Sequence, residues 1–322
     1  MMQSLLKPKK LAKNARIALI APSSYCAPED SANAKIALEK RGFDVVIHPQ
    51  CHARDHMSAG TPQEKADALH DVFRDSSIDA VFCLRGGYQT LNMLDLVNDD
   101  VIRQNPKILT GYSDITALHG SLHARTGLVS FHAPNGNGFG ELDNPELDNA
   151  SLFHMLEFLS GNVPDNLFLD HESYALQGGV ATGSIIGGNM QLLCSLLEAG
   201  DNYMPSLDGA ILMIEDIGEE ITKIERQFSA FRLRGIFDRI AALVIGHMTD
   251  IKDTLGRAGA FVYTLEDVVR RHASAVKGPI IMQAPFGHEL PNYIFPQGVK
   301  AQITAKNETV ALKLLESPFS DA

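Results

Sequence analysis

Short apolar runs alternate with amphipathic stretches through the first 132 positions of the chain. The runs at 16–21, 43–48, 79–84, 107–110 and 128–132 have the length and composition of buried strands. Between them, 31–41 has a helical pattern that Gly42 would stop. Thr61-Pro62-Gln63-Glu64 forms a capping box with proline at the first helical position and opens a helix to about Arg74. Another helical pattern covers 115–125. Repeated strand–helix–strand units predict a parallel sheet with helices on both faces. Ligands of such sheets bind beyond the carboxyl ends of the strands.

The second half has a different rhythm. Positions 135–148 are rich in Gly, Asn, Asp and Pro and read as a loop, followed by a helix from about 146 to 159. The stretch 161–179 is polar and irregular, which suits a linker. Beyond it come a helix at 189–198, a strand at 209–214, a helix at 219–234, a strand at 239–245, a helix at 265–273 and a strand at 279–283. In the helix at 219–234, Ile221, Ile224, Phe228 and Phe231 share one face. Runs at 299–304 and 309–314 read as a hairpin around Lys306-Asn307. The expected organisation is an N-terminal α/β domain over 1–160, a linker over 161–179 and a C-terminal domain over 180–322. There is neither an internal repeat nor a low-complexity segment.

Composition narrows the classes. A hydrophobic content of 45% is ordinary for a soluble globular protein, and a net charge of -11 argues against a general nucleic-acid binder. The four cysteines, Cys26, Cys51, Cys83 and Cys194, are widely spaced without a C-x-x-C, so neither a zinc site nor a disulfide framework is expected. Their scatter fits a reducing compartment. The first apolar run is shorter than a signal-peptide core and reads as a buried strand behind a basic arm. No stretch approaches the ~20 apolar residues of a membrane span, so a cytoplasmic protein without membrane attachment is expected.

Chemistry concentrates at strand ends. Ser113, in Thr110-Gly111-Tyr112-Ser113-Asp114, stands where a strand turns into a helix. That turn lifts a nucleophilic hydroxyl clear of a sheet and presents the next N–H to a reacting oxygen. Arg85-Gly86-Gly87-Tyr88 follows another strand, and its glycines suit either half of an oxyanion hole, with the Asp114 N–H as the other half, or a phosphate-binding turn. Neither G-x-G-x-x-G nor G-x-x-x-x-G-K-[ST] occurs there. Glu215 follows a strand and suits a residue that orients an imidazole, or else a solvated acidic turn with Asp216, Glu219 and Glu220. His288 follows a strand in a Gly/Pro-rich turn and suits a base, or else a surface histidine. His132 ends a strand near the same place and could line the site. The pairs His119/His123 and His52/His56 have zinc-compatible spacing, but Gly120 stands where the metalloprotease motif needs glutamate. The order Ser, Glu, His is that of α/β-hydrolases, although Ile115 replaces the last glycine of their G-x-S-x-G elbow and Thr116 replaces the lysine of an S-x-x-K arrangement.

Eight landmarks in order then resemble one family, the LD-carboxypeptidases of the serine peptidase S66 group, which includes muramoyltetrapeptide carboxypeptidases and microcin C7 immunity peptidases. They are Ile20-Ala21-Pro22-Ser23, Ala59-Gly60-Thr61, Arg85-Gly86-Gly87-Tyr88, Gly111-Tyr112-Ser113-Asp114, Phe131-His132, Gly187-Gly188-Asn189, Ile214-Glu215-Asp216 and Pro285-Phe286-Gly287-His288. The resemblance implies an N-terminal parallel-sheet domain of Rossmann-like or flavodoxin-like type and a C-terminal mixed β/α domain, with the active site at their interface and a homodimeric assembly. It implies Ser113 as nucleophile, His288 as base and acid, Glu215 as its orienting partner, and the N–H groups of Gly86 and Asp114 as oxyanion hole. Substrate contacts are expected from Arg85, Gly87, His132 and Asn189. No metal or organic cofactor is implied. The expected activity is hydrolysis of the amide between an L-centre and a terminal D-amino acid of a murein tetrapeptide. An immunity-type peptidase acting on peptidyl or aminoacyl nucleotides and a non-catalytic ligand-binding relative are the alternatives. Three departures from the family pattern, at Gln89, at Ala133 and Asn135 after His132, and at 221–226 after Glu215, bear on the substrate side of the pocket.

Overall fold

A computed structural model describes residues 4–141, 150–169, 171–252, 264–306 and 309–321. The N-terminal part runs β1 (Arg16–Ile20), α1 (Pro28–Glu39), β2 (Asp44–Ile47), α2 (Pro62–Arg74), β3 (Ala80–Cys83), α3 (Asp99–Gln104), β4 (Ile108–Gly111), α4 (Thr116–Thr126), β5 (Phe131–His132) and α5 (Ala150–Leu159). The C-terminal part continues with β6 (Tyr174–Gln177), β7 (Gly179–Asn189), α6 (Met190–Ala199), β8 (Ile211–Ile217), α7 (Ile221–Leu233), α8 (Ile236–Arg239), β9 (Ala242–Thr249), α9 (Leu265–His272), β10 (Ile280–Met282), β11 (Phe295–Pro296), β12 (Lys300–Lys306) and β13 (Thr309–Leu314).

The first sheet has the order β11-β5-β4-β3-β1-β2. The pairs among β1 to β5 are parallel, as the alternating pattern predicts, and β11 joins antiparallel at the edge. Side chains alternate across it. Ile17, Leu19 and Phe82 pack with α1 and α5, whereas Ala18, Ile20 and Val81 pack with α2 and α4. Helices therefore cover both faces. The predicted capping box starts α2: Glu64 N–H donates to Thr61 Oγ1 and Thr61 N–H donates to Glu64 Oε2.

The second sheet is mixed and curled, in the order β13-β12-β7-β8-β9-β10-β6. Its centre, β7 to β10, is parallel, while β12, β13 and β6 pair antiparallel. The face of α7 predicted to be apolar is buried at Ile221, Ile224, Phe228 and Phe231.

Several boundaries differ from the sequence reading. Helix α1 begins at Pro28, because proline suits the first turn and Glu29 and Asp30 complement the helix N-terminus. The stretch 161–179 holds the edge strand β6. Strand β8 runs on through Glu215 and Asp216 to Ile217, so neither carboxylate lies in a solvated turn. The expected hairpin forms as β12 and β13, paired antiparallel with Ala301 opposite Leu314 and Lys306 opposite Thr309. Its tip at Asn307, the loop beyond 141 and the start of the helix expected at 146 lie outside the described residues.

Candidate active site

The site assembles where the carboxyl ends of the two sheets meet. Ser113 follows β4, the Arg85–Gly87 loop follows β3, Asn189 ends β7, Glu215 and Asp216 lie near the end of β8, and His288 follows β10. A cleft of about 460 Å³ is lined by Arg85, Gly86, Ser113, Asn189, Asp216 and His288, with Gly87 and Asp114 beside them. A hollow of about 670 Å³ near Lys9 and Lys313 is larger, so side-chain chemistry rather than size singles out the cleft.

The serine turn is locally strained. Ser113 has φ of 63°, a left-handed conformation uncommon for a residue with a Cβ, and it opens a short 3-10 turn that runs into α4. The missing second glycine of the hydrolase elbow has a packing explanation. A Cβ at Gly111 would come within 2.9 Å of the Ile115 side chain, so one glycine makes room for the isoleucine two residues beyond Ser113. Across the turn, a Cβ at Gly86 would lie 2.8 Å from Ser113 Cβ and 3.1 Å from its Oγ. Only a bare backbone passes that close to the hydroxyl. Gly87 has φ of 111° and lies against Ser24, whose Oγ accepts the Tyr88 N–H at 3.0 Å.

Asp114 uses its side chain below the site. Its Oδ2 accepts from Thr90 N–H at 2.8 Å, from Thr90 Oγ1 at 2.6 Å and from Ser23 Oγ, at 3% exposure. The serine turn is thereby joined to the loops after β1 and β3.

Glu215 is wholly buried, and its Oε2 lies 2.6 Å from His288 Nδ1. Burial opposes charge on His288. The hydrogen bond and charge of Glu215, with the charge of Asp216 behind it, outweigh burial and raise the imidazole above its usual range. Tyr112 packs its ring 4.8 Å from the His288 ring, and burial followed by the charge of Glu215 pushes its hydroxyl up to about 12. No hydrogen bond joins Ser113 to His288 among the described residues, although both line the cleft.

Successive strand residues face opposite ways, so Asp216 turns from Glu215 toward α6. It accepts from Asn189 Nδ2 at 2.9 Å and from the Gln191 N–H at 3.1 Å. Burial first, and Glu215 second, raise its carboxyl to about 6. Asn189 in turn caps α6 through Leu192 N–H and donates its own N–H to Thr116 Oγ1, tying the second sheet to α4.

The other histidines fall elsewhere. His132 does not reach the cleft. It is wholly buried, stacks on Phe295 at 4.5 Å, meets Tyr112 and Phe286 edge-on, and has no hydrogen-bond partner on either ring nitrogen. The expectation that it lines the pocket is corrected by this packing: β11 lies over it. His119 bridges Ser130 Oγ and the Gly111 carbonyl, and burial pushes it down to about 4. No cluster of metal-ligating side chains occurs among the described residues. Arg85 is exposed at the cleft and donates to the Tyr25 carbonyl at 2.9 Å. Sequence reasoning missed the inward roles of Asp114, Thr90 and Asp216. Their partners are 24 to 91 residues away. For Asp216 the alternation of β8, continued two residues further, was the available signal.

A buried carboxylate holding an imidazole, with a strained hydroxyl in the same cleft, is the equipment of covalent acyl transfer. Family models agree with this class: the LD-carboxypeptidase N-terminal domain matches residues 17–133 and the LD-carboxypeptidase C-terminal domain matches residues 182–303. The chain belongs to the LD-carboxypeptidase family, serine peptidase S66. It is 30% identical over 308 residues to a probable murein peptide carboxypeptidase of Bacillus subtilis, covering 95% of this chain and 94% of that one. It is 31% identical over 299 residues to the murein tetrapeptide carboxypeptidase of Pseudomonas aeruginosa, covering 89% and 92%. Among solved structures, an MccF-like protein from Bacillus anthracis superposes with a TM-score of 0.81 at 29% identity, covering 96% and 99%.

Proposed function

We propose that the protein is a serine LD-carboxypeptidase. It would release the terminal D-amino acid of a murein tetrapeptide by cutting the amide after an L-centre, diaminopimelate or lysine. The observation that carries the reading is the buried Glu215 held against His288 in the cleft that Ser113 enters from its strained turn. Ser113 attacks the carbonyl while His288 takes its proton, and Glu215 keeps the ring oriented and stabilises its cation. The N–H groups of Gly86 and Asp114 hold the tetrahedral oxyanion, in keeping with the bare backbone packed against Ser113. His288 then protonates the leaving amine, and water releases the acyl enzyme. Arg85 is the cleft cation suited to a substrate carboxylate, and Gly87 and Asn189 complete the substrate side. The reaction calls for no metal or organic cofactor. A cytoplasmic homodimer is part of the proposal, and no helix among the described residues is long and apolar enough to cross a membrane.

The test is release of D-alanine from L-Ala-D-Glu-meso-diaminopimelate-D-Ala. Wild type should release it, and Ser113→Ala should lose activity by roughly 10³-fold or more while remaining folded. A folded wild type that releases none overturns the murein reading. The similarity to the MccF-like protein favours one second reading, hydrolysis of an aminoacyl-nucleotide amide. Cleavage of an aminoacyl-sulfamoyl adenosine, without cleavage of the tetrapeptide, would select it.

A further inference from the structure

Lys65 is one of the large side chains that are fully buried among the described residues, with an exposure of 0%, and the others of comparable size are phenylalanines. It projects from α2, and its ammonium donates to the Gln89 carbonyl at 2.8 Å and to Asn92 Oδ1 at 2.9 Å. Gln89 is the left-handed residue, φ 87°, at which the Arg85–Gly87 loop turns into the 3-10 turn Thr90–Leu96. The next residue, Thr90, is the one whose N–H and hydroxyl bond Asp114. One turn is thus gripped by a buried cation on one side and by the residue after Ser113 on the other. Three residues before Gln89 stands Gly86, whose backbone lies against Ser113.

Stability does not account for this lysine. A fully buried ammonium is costly, and an apolar side chain of similar volume packs such a site at least as well. The cation does one thing that an apolar side chain cannot: it holds a carbonyl at a left-handed residue in a fixed place. We propose that Lys65 is a positioning residue for the hydrolysis, fixing the Gln89–Thr90 turn so that the Gly86 and Asp114 N–H groups converge on one oxyanion beside Ser113. The inference rests on the reading of Ser113 as nucleophile and of those two groups as oxyanion donors.

The charge on Lys65 is itself set by this surrounding. Burial lowers its pKa to about 8, opposed by the carboxylates of Asp114 and Asp55, the charged groups that face it. The grip on the turn should weaken as the ammonium loses its proton above that value.

The experiment measures the rate at which a fluorophosphonate labels Ser113, together with kcat and KM on the tetrapeptide. Wild type, Ser113→Ala, Lys65→Met and Lys65→Arg are compared. Lys65→Met should lower both labelling rate and kcat by about 10- to 100-fold, short of the full loss of an oxyanion donor, with KM changed less than about threefold. Lys65→Arg should restore most of the rate. The wild-type labelling rate should fall above pH about 8, and Lys65→Arg should hold its rate beyond that, because arginine stays charged. Unchanged labelling and kcat in folded Lys65→Met overturn the inference while leaving the nucleophile in place. If Lys65→Met does not fold, identical alkaline profiles of wild type and Lys65→Arg overturn it. Failure of wild type to label at Ser113 overturns the nucleophile reading, and this inference with it.

Discussion

At the scale of single residues the site depends on opposed effects at His288. Burial favours the neutral ring, while Glu215 at 2.6 Å and Asp216 beyond it favour the cation, and the carboxylates prevail. A base must be neutral to accept the Ser113 proton, so kcat/KM should rise with pH through a value above the usual histidine range. Glu215→Gln keeps the size of the side chain and removes its charge. Burial of His288 is then less opposed, so the acid limb should move to lower pH, and kcat should fall roughly 10³- to 10⁴-fold. Asp216→Asn should move the same limb in the same direction by less, since Asp216 is the smaller contributor. A pH–rate profile of the three proteins checks both; an acid limb in Glu215→Gln at or above the wild-type position would contradict the assignment. The positions of Ser113, Glu215 and His288 near strand ends were legible from sequence because each stands in a characteristic run at or beyond a recognisable apolar strand. Lys65 was not, because a lysine in a helix ordinarily reads as a solvated face, and its partners Gln89 and Asn92 lie 24 and 27 residues away.

At the scale of elements, two glycines make room for close contacts, one beside the cleft and one within a sheet. Gly86 lies outside the left-handed region, so an alanine there strains no dihedral and acts only through its Cβ, 2.8 Å from that of Ser113. Gly86→Ala keeps the N–H but pushes Ser113 aside, so kcat should fall by about 10²-fold through misplacement of the hydroxyl, and the unfolding midpoint should fall as well, because a Cβ and a backbone carbonyl stand in the way. Gly187 sits inside β7, where a Cβ would fall 2.0 Å from the Met213 carbonyl oxygen of β8. Neither strand can yield in the middle of a paired sheet. Gly187→Ala should therefore destabilise the protein by about 1–3 kcal/mol or more, read as a lower urea midpoint. Elements with strong periodicity or caps, such as α2 and α7, were legible in the sequence. The glycine-rich β7 was legible only as a lead into a helix. The short elements concealed include the six-residue α3, the four-residue α8, the edge strand β6 in a polar stretch and the two-residue β11. Each is too short to show a period, and Pro296 in β11 reads against a strand unless that strand lies at an edge, where it does lie.

For the whole molecule, the α/β class and the location of the site at strand ends followed from the alternation of elements. How the two halves hold each other did not. After β10 the chain returns to the first sheet, where β11 pairs with β5. It then builds β12 and β13 on the second sheet and ends against the first domain again. There Phe319 stacks on Phe131 at 5.6 Å and meets Phe158 edge-on, and Ser320 N–H donates to the Pro8 carbonyl. The Ser113 side of the cleft and the His288 side therefore belong to sheets stitched together twice. Two sheets joined in this way should unfold as one cooperative unit, although many two-domain proteins unfold stepwise. Phe319→Ala removes a ring that is only 6% exposed, at a cost of about 3–5 kcal/mol for a buried phenylalanine. The whole transition should shift to lower temperature and remain single. Because Phe319 lies outside the cleft, kcat/KM at 25 °C should stay within about twofold of wild type, the effect expected of a site away from the chemistry. Calorimetry that resolves two transitions in the variant would contradict the single cooperative unit, and a loss of activity well below its melting temperature would mean that the C-terminal segment also sets the spacing of Ser113 and His288.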